Sequence, residues 1–134
     1  MNEDDAREAY FELKVIEEQM RQLQRQIGQI EAHISEFGNA LKSIEELKSN
    51  GGGEAFVPVS SAIFAGAKIL DAGKFVVNVG AGIAVEKSAD ETKAVIEKQI
   101  GDLGQYREQM IKGLQLLGSR AEEIEKLVAE EKNV

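Results

Sequence analysis

The sequence predicts an α+β chain in which a long antiparallel α-helical coiled coil is joined by a central pair of β-hairpins. Three observations predict it. Apolar residues recur at spacings of three and four from Ala6 to Ile44. The same spacing resumes after Ser88. Between the two, the stretch from Gly51 to Lys87 breaks the pattern and is rich in Gly, Val, Phe and Ile.

The first arm is the most regular element. Its a positions are Ala6, Leu13, Met20, Ile27, Ile34 and Leu41, and its d positions are Ala9, Ile16, Leu23, Ile30, Phe37 and Ile44. Six successive heptads without a charge at a or d make a coiled-coil seam. Gly28 and Gly38 each weaken the helix by about 1 kcal/mol relative to Ala, and the seam outweighs them. The run Ser49-Asn50-Gly51-Gly52-Gly53 is a C-terminal stop.

The central stretch reads as four strands. Phe56 to Val59 is the first, placed at an edge because Pro58 cannot donate to a ladder. Ser60-Ser61 turns the chain, and Ala62 to Leu70 is the second strand, with Ile63, Ala65, Ala67 and Ile69 on one face. Asp71-Ala72-Gly73 turns again into Lys74 to Val79, with Phe75, Val77 and Val79 on one face. Gly80-Ala81-Gly82 leads into Ile83 to Glu86. Isolated hairpins are marginal in water. Short strands with apolar residues on both faces invite pairing with other chains. The head is therefore expected to be an assembly element.

The second arm starts at Ala89, because Ser88-Ala89-Asp90-Glu91 fits a capping box. Its a positions are Lys93, Ile100, Arg107, Leu114, Ala121 and Val128, and its d positions are Ile96, Leu103, Met110, Leu117, Ile124 and Glu131. Four glycines, at 101, 104, 113 and 118, dilute its helix propensity. The expected division is one subunit over 1–134, with a helix over 6–49, hairpins over 54–87 and a helix over 89–131. Turns that return the chain favour an antiparallel pair of helices. The expected register sets Leu41 against Ile96, Ile30 against Arg107, Ile27 against Met110, Ile16 against Ala121 and Ala9 against Val128. A shift of one heptad is its main competitor.

In that register bulky pairs lie near the head and the small residues Ala6, Ala9 and Ala121 collect at the far end, so loosely zipped tips are expected. The same ends carry Tyr10, Phe11 and Val15 on the first arm and Leu127 and Val128 on the second. Phe11 and Val15 are one helical turn apart. Such a cluster marks a binding surface or the contact of a further helix, or consists of scattered surface residues.

Composition narrows the function classes. A chain of 134 residues is one domain or one subunit of something larger. Aromatics are 5% and there is no Trp, so a conventional globular core would be thin, while 30% charged residues suits amphipathic helices. A net charge of -8 argues against nucleic acid. There is no cysteine, hence no thiol chemistry, and a reducing cytoplasmic location is expected. The acidic start MNEDDAREAY does not resemble a signal peptide, and no apolar run approaches the ~20 residues that span a bilayer.

Catalytic patterns are missing. Gly80-Ala81-Gly82 begins like a dinucleotide fingerprint, but Val85 stands at the third glycine position and no βαβ unit surrounds it. The reading there is a hairpin turn. His33, the only histidine, flanks the seam at a g position. Acid pairs such as Glu17-Glu18, Glu122-Glu123 and Glu130-Glu131 read as solvated helix faces. No enzyme, cofactor or metal is expected.

The central residues carry a resemblance. Phe56-Val57-Pro58-Val59, then Ile63-Phe64 leading to Ala67-Lys68-Ile69, resembles the V-P-[LV]…F-x-x-A-x-[IL] run of alpha-class prefoldin subunits, the archaeal type. Val77-Asn78-Val79-Gly80-Ala81-Gly82 followed by Val85-Glu86-Lys87-Ser88 resembles their V-x-V-G-A-G-x-x-V-E-K stretch. Ser60-Ser61 departs from the glycine more often found there. The resemblance implies two alpha-type and four beta-type subunits joined through their hairpins into a double β-barrel platform, with six coiled-coil tentacles. It implies an ATP-independent holdase whose tips grip non-native proteins and pass them to a group II chaperonin, with no nucleic acid or membrane partner. The tip residues would then be Tyr10, Phe11, Val15, Leu127 and Val128. The assembly residues would be Phe56, Val57, Val59, Ile63, Phe64, Ile69, Phe75, Val77, Val79, Ile83 and Val85. A self-assembling coiled-coil scaffold or filament is the alternative.

Overall fold

A computed structural model describes residues 2–132, with the side chains of 131 and 132 left aside. The element order is α1 (Glu3–Asn50), β1 (Gly53–Ser60), β2 (Ile63–Ile69), β3 (Lys74–Gly80), β4 (Ile83–Ser88) and α2 (Ala89–Lys132). Two long helices thus flank two antiparallel hairpins, the predicted α+β class.

Helix α1 begins at Glu3, a turn earlier than the apolar series suggests. Its start is set by a polar cap. Asn2 Oδ1 accepts the Asp5 amide at 2.8 Å, while Asp5 Oδ2 accepts the Asn2 amide at 3.5 Å. Two orphan donors are satisfied reciprocally, and Glu3, Asp4 and Asp5 complement the helix dipole. The helix ends at Gly51, whose φ of 67° lies in the left-handed region that favours glycine. Helix α2 starts where the capping box predicts. The Glu91 amide donates to Ser88 Oγ at 3.1 Å, and Thr92 Oγ1 donates to the Ser88 carbonyl at 2.7 Å.

The hairpins form two separate two-stranded sheets, β1-β2 and β3-β4. In the first, Ala55 pairs with Ala67, Val57 with Ala65 and Pro58 with Phe64. The register then shifts between Pro58 and Ser60, and Ser60 pairs with Ile63. Val59 is the extra residue of this bulge, which moves the turn to Ser61-Ala62 instead of Ser60-Ser61. In the second hairpin Phe75 pairs with Lys87 and Val77 with Val85, and a matching shift falls between Asn78 and Gly80. Here Ala81 and Gly82 both have positive φ, 53° and 73°, as a tight two-residue turn requires. Strands β1, β3 and β4 run longer than the Phe56–Val59, Lys74–Val79 and Ile83–Glu86 read from apolar residues, whereas β2 is shorter than Ala62–Leu70 at both ends.

The chain divides into two compact units. One comprises the residues up to Ile34 with those from Asp102 onward, and the other is Ser35–Gly101. In the second unit, Ile44, Ala89 and Thr92 are buried where the helices meet the hairpins. In the first, Ile16 is buried and Ile124 retains 1% of its surface, the most enclosed side chain among those described. The seam is thus closely packed at Ile16 and Ile124, while Ala6, Ala9 and Val128 further out are half-buried. Setting a large residue opposite a small one, as Ile16 opposite Ala121, lets layers interdigitate without a gap.

Every predicted a and d position with a described side chain is buried or half-buried on both helices; Glu131, the last of them, lies outside that set. Contacts across the pair fit the expected register. A Cβ on Gly113 would meet Leu23 Cδ1 at 3.7 Å, beside the Leu23–Leu114 layer, and one on Gly118 would meet Met20 Cε at 3.8 Å, beside Met20–Leu117.

Candidate functional site

Two sets of exposed apolar residues stand out, one in each unit. In a strand, alternate side chains face opposite sides of the sheet. On the first hairpin, Glu54, Phe56, Pro58, Phe64, Gly66 and Lys68 therefore share one face, and Ala55, Val57, Ala65, Ala67 and Ile69 share the other. Phe56 is 79% exposed, and Val57, Val59, Ile63 and Phe64 are exposed too. Ala55, Ala67 and Ile69 are half-buried. On the second hairpin, Phe75, Val77 and Lys87 are half-buried, whereas Val79, Ile83 and Val85 are exposed. Apolar side chains are thus left open on both hairpins within a single chain. Two such residues escaped the sequence reading. Val76 is 76% exposed on the opposite face from Val77, and Leu70 is 93% exposed in the turn after β2. Val76 could have been found from period-2 alternation, which puts it on the sheet face not counted as apolar.

The turns that hold the hairpins are polar. The Gly73 amide donates to Asp71 Oδ1 at 2.8 Å, and the Gly80 amide donates to Asn78 Oδ1 at 3.0 Å. Gly80-Ala81-Gly82 is a hairpin turn between β3 and β4, not the opening of a helix.

In the other unit, Tyr10, Phe11, Val15 and Leu127 are exposed, Phe11 to 71%. Val128 is half-buried, as its a position requires. Tyr106 and Leu116, off the seam of α2, are exposed apolar residues that the seam pattern did not flag. Charged pairs flank the seam. Arg120 Nε donates to Glu12 Oε1 at 2.9 Å and its Nη2 to Glu12 Oε2 at 3.2 Å, a two-pronged bond across the helices. Together with Glu123, at 3.3 Å, Glu12 holds the Arg120 guanidinium above its ordinary pKa, the hydrogen bond to Glu12 being the main cause. Arg107, at an a position, bonds Glu31 Oε1 at 2.9 Å.

Among the described residues no cluster of His, Asp and Glu could hold a metal ion, and no helix is long and apolar enough to cross a membrane. What the arrangement presents is exposed apolar surface on the hairpins and on the helices.

Comparison with known proteins bears on what those surfaces do. Residues 16–133 match the family model described as Prefoldin subunit. The chain is 30% identical to prefoldin subunit alpha of Methanococcoides burtonii over 95% of its own length and 93% of that protein's. It is 33% identical to prefoldin subunit alpha of Thermofilum pendens, over 85% and 89% respectively. Among solved structures it resembles a chain of filamentous PFD from Methanocaldococcus jannaschii, determined by cryo-electron microscopy. The TM-score is 0.76 at 29% identity, covering 89% of this chain and 97% of that one.

Proposed function

From the premise that this chain belongs to the prefoldin family and is a prefoldin chaperone subunit of the alpha type, we propose that it is an ATP-independent holdase. Prefoldin alpha subunits assemble with other prefoldin subunits. The finer reading is assembly with beta-type subunits, two alpha to four beta, through the hairpins, and delivery of clients to a group II chaperonin. It places the chain in the cytoplasm and has no enzymatic step.

The observation that carries it is the exposure of Phe56, Val57, Val59, Ile63, Phe64, Val79, Ile83 and Val85 on two separate two-stranded hairpins. Two-stranded sheets are marginal alone, and apolar faces of this kind gain stability when other chains cover them. On this reading Ile69, Phe75 and Val77, half-buried already, are completed by the same partners. Tyr10, Phe11, Val15 and Leu127 supply client contacts at the ends of the helices, with Val128 beneath them. Several weak sites on one assembly hold a client by avidity, without one tight pocket.

The test replaces Tyr10, Phe11, Val15 and Leu127 by Ser and follows aggregation of a chemically denatured client by light scattering, without ATP. The account expects suppression to be lost while the assembly keeps its size. Undiminished suppression would sink the assignment of these residues. A filament-forming role is favoured by one observation, the likeness to filamentous PFD. It requires homo-oligomers or fibres without a beta-type partner.

A further inference from the structure

The apolar seam does not choose its own register. Every a and d residue of α1 from Ala6 to Ile44 is apolar, so sliding α2 by one heptad still sets apolar layers against apolar layers. Apart from Glu131, a d position in the last turn of α2, the exceptions are Lys93 and Arg107, a positions of α2 two heptads apart. Each is half-buried, and each is matched by a carboxylate of α1 within its own unit. Lys93 Nζ pairs with Glu45 Oε1, and Arg107 Nε with Glu31 Oε1 at 2.9 Å. Glu31 and Glu45 are also two heptads apart.

We infer that the Lys93–Glu45 and Arg107–Glu31 pairs fix the register of α1 against α2 by penalising both one-heptad slips. The alternatives are visible in the sequence. A slip in either direction would bring Arg107 to Gln24 or Gly38 in place of Glu31, and Lys93 to Gly38 or past the end of α1 at Asn50 in place of Glu45. Neither cation finds a carboxylate there, and a half-buried charge without a partner is costly. A third pair, Lys48–Asp90 at 3.5 Å, penalises one slip only, since that slip sets Asp90 against Leu41 while the other offers Lys48 a new carboxylate in Glu97. The Arg120–Glu12 pair discriminates in one direction only, because a slip would offer it Asp5 one way and Gln19 the other. Gly38 thus stands at the slipped position for both cations.

The natural chain has no cysteine, so engineered disulfides report register directly. In the full chain, cysteines at positions 27 and 110 report the native register, and 27 with 103 or 27 with 117 report the two slips. With Lys93 and Arg107 intact, only 27 with 110 crosslinks. In the Lys93→Leu, Arg107→Leu background, the slipped pairs crosslink at least about tenfold more than before, while helix content and unfolding temperature are retained or rise. Exclusive crosslinking of 27 with 110 in that background overturns the inference. Charge reversal provides a second arm that keeps the seam equally polar. Arg107→Glu with Lys93→Glu releases the slipped crosslinks, and adding Glu31→Arg with Glu45→Lys suppresses them again. Failure of the added reversals to restore a single register also overturns it.

Discussion

Ser88, Ile124 and Asn2 show how single side chains set the elements. Ser88 Oγ accepts the Glu91 amide at the start of α2, and losing such a cap costs about 1 kcal/mol. Ser88→Ala should therefore lower the unfolding temperature by a few degrees in a calorimetric scan. Ile124 is the most enclosed of the described side chains. Its replacement by Ala should cost about 2–5 kcal/mol, measured by denaturant unfolding. A smaller loss would mean that the ends of the helices collapse onto the gap. At this scale the seam was legible, because burial at period 3.5 leaves a mark at every a and d position. The Asn2 cap was not, because the apolar series begins only at Ala6, four residues later. Glu31 and Glu45 were also unread as partners. Carboxylates are frequent on these helices, and which of them meets Arg107 or Lys93 depends on the register.

Glycines in the helices and in the hairpin turns should respond in opposite directions. Gly101 in α2 has open space where a Cβ would stand. Gly101→Ala should thus raise stability by up to about 1 kcal/mol. Gly82, at φ 73°, occupies a conformation that a side chain strains. Gly82→Ala should cost about 1–2 kcal/mol and loosen the β3–β4 turn. Paired thermal scans of the two variants check the contrast in sign. The hairpins were legible as elements through their turn residues and alternation. Their exact turns were less so. The bulge at Val59 is a two-against-one pairing, and the choice between Ser60-Ser61 and Ser61-Ala62 rests on cross-strand register that local composition does not encode.

The whole chain presents apolar surface that its own fold does not cover. Phe56 and Val79 are exposed in the single chain, so charging them should leave its helices intact. Phe56→Asp with Val79→Asp should retain the far-ultraviolet circular dichroism of the wild type and abolish assembly in light scattering coupled to size exclusion. An unaltered assembly would remove these faces from the interface. The limits of the sequence are physical here. Periodicity reports which side of an element avoids water, not which chain covers it. The resemblance in Val77–Gly82 and Val85–Ser88 therefore carried the family, and in the proposed function the exposed faces are what partner subunits cover. Composition also kept the seam and the hairpins distinct, through heptads that stop at Gly51 and resume at Ala89.

The central claim is that the chain works as one subunit of a mixed assembly held by its hairpins. Native mass spectrometry of the complex isolated through this chain from its source cells tests it most directly. The account predicts a hetero-hexamer with two copies of this chain and four of a smaller helical partner. A homo-oligomer, or a polydisperse ladder of this chain alone, would contradict it.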